Sequence, residues 1–251
     1  MAATIPIQDP DLEFDNGTFD SAAFTAEALK SWQSLASIID HSLVKPDATS
    51  QQVENLCAEA DRYRFACVMV NPIWASTAVS LLAGTGIPVG VTLGFPFGAS
   101  LVSTLRQETV ALIRLGVREL GMVLPIGQLK SGNHHAVQLA IHTVVRLAHL
   151  HGITLKVNLE TCLLTMEEKL RGSEIAIQAG ADFINTATGF ASGGATPADV
   201  ALMRGVVGAR CGVKASGRIR TVAQVRALLE AGANRIGCSA SVAIVRELGA
   251  D

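Results

Sequence analysis

The chain has 251 residues, 49% of them apolar and 17% charged, with a formal net charge of −2. That length and apolar content suit one large α/β domain with a substantial core, and the absence of a basic stripe argues against a nucleic-acid partner. No apolar run approaches ~20 residues, which argues against an ordinary membrane-spanning helix, and five cysteines without a CxxC pair point to reduced thiols in a cytoplasmic protein.

Residues 1–36 read as an N-terminal extension. Asp9, Asp11, Glu13, Asp15, Asp20 and Glu27 face only Lys30 there, with no basic or apolar leader pattern. A helix near 21–35 is expected to pack on the end of the domain that occupies 37–251. From residue 37 onward, short apolar runs alternate with longer amphipathic ones. Strands are expected at 37–39, 66–70, 89–93, 119–124, 155–159, 183–186, 213–215 and 235–237. Helices are expected near 50–64, 73–83, 103–115, 133–151, 166–179, 197–208, 222–231 and 241–248. Thr165 with Glu168 and Thr221 with Gln224 have capping-box spacing, and Thr196-Pro197 places proline at a first helical position. Gly84, Gly116, Gly152, Gly180 and Gly232 stand where helices need a left-handed end.

Eight strand–helix units in regular order predict a single (β/α)8 TIM barrel, with a doubly wound open sheet as the competing arrangement. In a barrel, functional groups gather at the C-terminal strand ends. The polar residues there are Asp40, Ser42, Asn71, Thr92, Asn158, Glu160, Asn185, Thr188, Lys214, Ser216 and Ser239. Such a ring is hard to explain by core packing alone.

The motifs are specific and run in order. Ile39-Asp-His-Ser-Leu-Val-Lys-Pro-Asp-Ala-Thr49, Val68-Met-Val-Asn-Pro72, Gly94-Phe-Pro-Phe-Gly98 and Leu155-Lys-Val-Asn-Leu-Glu-Thr161 are followed by Gly180-Ala-Asp-Phe-Ile-Asn-Thr-Ala-Thr-Gly189. Gly212-Val-Lys-Ala-Ser-Gly217 and Ala231-Gly-Ala-Asn-Arg-Ile-Gly237 complete the series. Over about residues 37–246 the chain resembles the deoxyribose-phosphate aldolases, class I enzymes that need no metal or other cofactor.

The resemblance implies an imine-forming lysine on the sixth strand, a helper lysine on the seventh and a carboxylate on the fourth. At those positions stand Asn185, Lys214 and Gly121. An amide nitrogen is delocalised into its carbonyl and cannot form an imine, and a missing acid–base group typically costs ~10²–10⁴-fold. The phosphate end is altered as well. Arg218 replaces a glycine and Ala240 a serine of the family pattern, while Gly189, Gly217 and Ser239 keep backbone amides available to an anion. Arg218 itself offers a guanidinium fork. Ser42 and Thr188 complete the expected ligand set.

Three readings of function follow. The chain is a degenerate aldolase that binds a small phosphorylated or carboxylated carbonyl or sugar-like ligand, or an enzyme whose Asn185 and Lys214 polarise a carbonyl. In the third reading, Lys214 with Asp40 sustains a weak parent reaction. Asp40 is expected to face the mouth, and Lys214 to be held by Asp40 or Glu160 if its role is structural. Lys156 is a second candidate amine, whereas Lys45 braces a loop. Cys238 lies near the anion site. His135, His142 and His149 recur at seven-residue spacing on one helix, which suits an outer face better than a metal site. The Gly189–Gly194 stretch lacks GxGxxG, so a dinucleotide fold is not supported. A homodimer fits the resemblance.

Overall fold

The computed structural model describes residues 17–251. Asp9, Asp11, Glu13 and Asp15 of the acidic lead-in lie outside the described residues. Two helices, α1 (Ser21–Ala28) and α2 (Trp32–Ala36), precede β1 (Ile39–Leu43). The barrel continues with α3 (Ser50–Tyr63), β2 (Cys67–Val70), α4 (Ala75–Leu81), β3 (Val89–Leu93), α5 (Val102–Arg114) and β4 (Glu119–Val123). Then come α6 (Ile126–Lys130), α7 (His134–His149), β5 (Thr154–Asn158), α8 (Met166–Gln178) and β6 (Phe183–Asn185). The chain closes with α9 (Pro197–Val207), β7 (Gly212–Ser216), α10 (Val222–Glu230), β8 (Arg235–Cys238) and α11 (Ser241–Glu247).

The eight strands are parallel and close in sequence order, β8 pairing with β1. This is the TIM barrel expected from the alternating pattern. Both faces of each strand are covered, which is why the strands read as short apolar runs. Outward residues such as Val68, Val91, Leu120, Val157 and Ile236 pack under the helices. Inward residues alternate with them and are largely polar.

That polar interior explains where the first strand departs from expectation. β1 runs over Ile39–Leu43, not 37–39, because Asp40 turns into the barrel while His41 packs against Phe65, ring centroids 4.9 Å apart. The helix expected over 21–35 is two helices. Ser31 starts the second by accepting the Ser34 N–H at 3.1 Å. α6 was not anticipated, being five residues that begin after Pro125 and include Gly127.

The Thr165–Glu168 capping box is complete. At Thr221 only half forms, because the Gln224 carbonyl accepts from Arg220 N–H at 2.8 Å instead. α1 packs on α10 and α2 on α11. Phe19 lies 4.1 Å from the Arg204 guanidinium, which donates to the carbonyls of Gly208, Cys211 and Gly232. The described part of the extension thus braces the N-terminal end of the barrel, opposite the strand ends that carry the site.

Close approach fixes some glycines. A Cβ at Gly237 on β8 would lie 2.6 Å from Lys214 Cε and 3.0 Å from Ser216 Cβ. Gly237→Ala is expected to cost about 1–3 kcal/mol, the usual cost of overpacking. Gly205→Ala, within α9 and with nothing within 4 Å, should instead stabilise by about 0.5–1 kcal/mol through helix propensity. Urea unfolding of the two variants checks the opposite signs.

Candidate active site

A cavity of about 320 Å³ opens at the C-terminal ends of the strands. Ser42, Asn185, Thr188, Gly189, Lys214, Gly217, Arg218 and Ser239 lie on its wall, as do Lys45, Lys156, Asn158 and Cys238. Asp40 does not. It is 0% exposed and sits one layer below, so the expectation that it faces the mouth is corrected. As the first inward residue of β1 it points into the barrel's middle, beneath Ser42.

There Asp40 organises a buried ionic cluster. Lys156 and Lys214 Nζ each donate to its Oδ2 at 2.5 Å, and Arg235 Nε donates to Oδ1 at 2.6 Å. Arg235 also donates to Glu119 at 3.2 Å, and Lys156 pairs with Glu119. Burial alone would raise the Asp40 pKa, but Lys156, Lys214 and Arg235 overcome it and hold the carboxyl far below the usual range. Burial lowers the pKa of Lys214 more than Asp40 restores it. For Lys156 the burial effect is outweighed by Asp40 and Glu119, so its pKa is raised.

Asp40, Cys67 and Glu119 bring a metal-type donor set together. Their carboxylates are already engaged by three cations, and burial with the two carboxylates pushes the Cys67 thiol well up. A divalent ion has no suitable place among them. The histidines of α7 lie on the outer layer, where His149 pairs with Asp182 at 3.0 Å.

Above the cluster, Asn185 is fixed by its neighbours. Its Nδ2 donates to Asn158 Oδ1, and the Ser216 hydroxyl lies 2.8 Å from its Oδ1. Asn158 is 5% exposed, and its own Nδ2 has no partner among the described residues. That nitrogen lies 4.0 Å from where a Cβ on Gly121 would be, and Met69 Cε lies 3.1 Å from the same point.

Glu160 does not hold Lys214. It adopts a left-handed conformation, φ 56°, and accepts from the Thr188 N–H and hydroxyl, bracing the loop after β6. Lys45 follows β1, and its loop is tied by Asn71 Nδ2 donating to Val44 O at 3.0 Å. At the outer end, Ala195 N–H donates to Gly217 O at 3.1 Å, joining the loops after β6 and β7. Arg218 has φ 64° and Arg220 stands beside it on the cavity wall.

Sequence reasoning did not single out Glu119 or Arg235 as site residues. Both lie at strand starts, where a charge normally meets solvent. Only the barrel's closure turns Arg235 onto Asp40 and Glu119 onto Lys156 and Arg235. The wall carries five basic side chains, Lys45, Lys156, Lys214, Arg218 and Arg220, and no carboxylate among the described residues. Phe95 and Phe190 close the cavity on the apolar side, their rings meeting edge to face at 5.2 Å.

No protein-family model matches the chain. It is 49% identical over 211 residues to a deoxyribose-phosphate aldolase of Geobacillus sp. (strain WCH70), covering 84% of this chain and 94% of that protein. It is 48% identical to one from Thermoanaerobacter sp. (strain X514), over 85% of this chain and 96% of that protein. The tetrameric deoxyribose phosphate aldolase of Aeropyrum pernix superposes with a TM-score of 0.83 at 30% identity, covering 91% and 96% of the two chains. With near-half identity across almost the whole barrel and the same fold, the chain belongs to the deoxyribose-phosphate aldolase family.

Proposed function

We propose that this barrel binds a small phosphorylated or carboxylated carbonyl or sugar ligand and has little or no ordinary aldolase activity. The observation that carries this is the state of the amines. Position 185 offers an amide, and the two lysines deep in the cavity, Lys156 and Lys214, both donate to the same buried carboxylate. Imine formation needs a neutral, free amine. Lys156 is held protonated, and Lys214 would have to leave Asp40. The five wall cations without a wall carboxylate support an anionic ligand, and the names of the relatives support a sugar phosphate as its chemical kin.

A second reading keeps some enzyme activity through Lys214, favoured by the lowering of its pKa on burial. Borohydride reduction in the presence of acetaldehyde or deoxyribose 5-phosphate, followed by peptide mapping, separates the two. No reduced adduct is expected. An adduct on Lys214 would instead establish imine chemistry one strand over from the family's usual position. Pairing of two copies is proposed on family grounds alone.

A further inference from the structure

The barrel mouth holds a second chamber beside the first. It measures about 560 Å³ and lies among the loops after β1, β2 and β3, within the size range of small-molecule sites. Val44, Thr92, Phe95 and Phe190 line both chambers. Phe95 follows β3 and Phe190 follows β6, so their edge-to-face contact forms a bar between the two. The chemistry differs on either side of that bar. The second wall has no basic side chain among the described residues, and Pro46, Pro72, Pro96, Phe97 and Ala99 give it an apolar surface. Its inner polar groups are spent on one another. The Thr92 hydroxyl donates to Asn71 Oδ1 at 3.0 Å, and Asn71 Nδ2 donates to Val44 O at 3.0 Å. The hydroxyl-bearing Ser100 and Thr104 are exposed. Glu108 of α5 is the one ionisable side chain on this wall among the described residues, and burial raises its pKa against a hydrogen bond from the Gly94 backbone. Phe97 is exposed, as are Ile73 and Leu101, next in sequence to the wall residues Pro72 and Ser100. Large apolar side chains exposed together mark a binding surface.

Resting on the reading that the first chamber holds an anion, and naming the rest of that ligand, we infer that the ligand is amphipathic. Its charged head lies among the basic side chains of the first chamber, and an uncharged apolar group fills the second. Charge sets the orientation, because the head is drawn to five cations and repelled by the Glu108 carboxylate. An apolar group strands no hydrogen bond against a wall whose inner polar groups already satisfy one another. It also takes the exposed face of Phe97 out of water. The rings of Phe95 and Phe190 give the joining segment an apolar passage between the chambers. A short sugar phosphate fills the first chamber and leaves the second to solvent.

The test uses inorganic phosphate and three phosphate monoesters that share one head: methyl phosphate, hexyl phosphate and 6-aminohexyl phosphate. Titration calorimetry on the full chain is expected to show hexyl phosphate binding at least about tenfold more tightly than methyl phosphate, the effect of burying two methylenes. The aminohexyl ester should lose that gain, because its ammonium cannot enter an apolar chamber without cost. Ala99→Trp and Thr104→Phe add bulk at two places on the second wall, and in each the hexyl-to-methyl ratio should fall to about one. Hexyl phosphate binding no tighter than methyl phosphate overturns the inference and leaves the anion reading standing. So does a hexyl gain that persists in both variants, which places the apolar group elsewhere. Aminohexyl binding equal to or tighter than hexyl binding also overturns it, since Glu108 would then be selecting a cation. Failure of phosphate and all three esters to bind overturns both. The three esters on the unaltered protein decide the matter even if neither variant folds.

Discussion

Asn185→Lys is expected to make the protein trappable by borohydride with acetaldehyde, with the reduced adduct at position 185. Residue 185 is 4% exposed and pairs in register with Lys214. A lysine there would meet both influences that lower an amine's pKa, burial and a neighbouring cation. Its amine would have no carboxylate of its own, because Asp40 already serves Lys156, Lys214 and Arg235. The new side chain displaces an amide held by Asn158 and Ser216, both of which line the cavity and remain accessible to solvent or ligand. Failure to trap any adduct at 185 would mean that the residue at this position does not by itself decide imine formation.

Trapping is only half of turnover. Gly121→Asp added to Asn185→Lys is expected to raise deoxyribose 5-phosphate cleavage by about 10²–10⁴-fold over the single variant, the usual contribution of a positioned acid–base group. The obstacle is Met69. Its Cε lies 3.1 Å from where the new Cβ would be, and an unbranched thioether can move aside. The two substitutions should also couple in stability. The lysine places a second amine beside Lys214, and the aspartate supplies a carboxylate for it. Thermal unfolding of the four-member cycle should therefore show the double variant more stable than the sum of the singles. Equal turnover of single and double variants would show that the fourth-strand carboxylate is dispensable here.

The barrel was legible because its local signals agree. Apolar runs, the Thr165 cap, Pro197 and the glycines after helices all point to the same eight units. The first strand was misplaced because Asp40-His-Ser42 does not look like a core strand. Its alternation makes sense only around a polar interior. For the site, the wall residues could be picked from strand ends, but their depth could not. Asp40 and Ser42 are two residues apart and share a face, yet one lines the cavity and the other is sealed beneath it. Glu119 and Arg235 were invisible for a related reason. A strand-start charge becomes a buried ion only when β8 closes on β1 and sets its side chain across the barrel.

Asp40→Asn is expected to destabilise the fold by about 3–5 kcal/mol, the cost of removing one partner from a buried ion pair. In a chain of this length that corresponds to a drop in Tm on the order of 10 °C. Asp40 is fully buried, so solvent does not screen its contacts with Lys156, Lys214 and Arg235. An amide keeps the shape but leaves Lys156 and Arg235 sharing Glu119 and Lys214 with no carboxylate partner among the described residues. The pH dependence follows from the direction of the Asp40 shift. Its folded pKa lies below the unfolded value of about 3.9, so its contribution is present above that value and is lost as pH falls through the folded pKa. The gap between parent and variant should stay constant between pH 5 and pH 8, at roughly the same few kcal/mol, and close only in strong acid. Removing a cation as well, in Asp40→Asn with Lys214→Met, should recover part of the loss, because the charge excess is what the variant suffers from. A gap below about 1 kcal/mol at neutral pH would place the cluster among weak contacts, and Asp40 would cease to be the group that fixes both lysines in place.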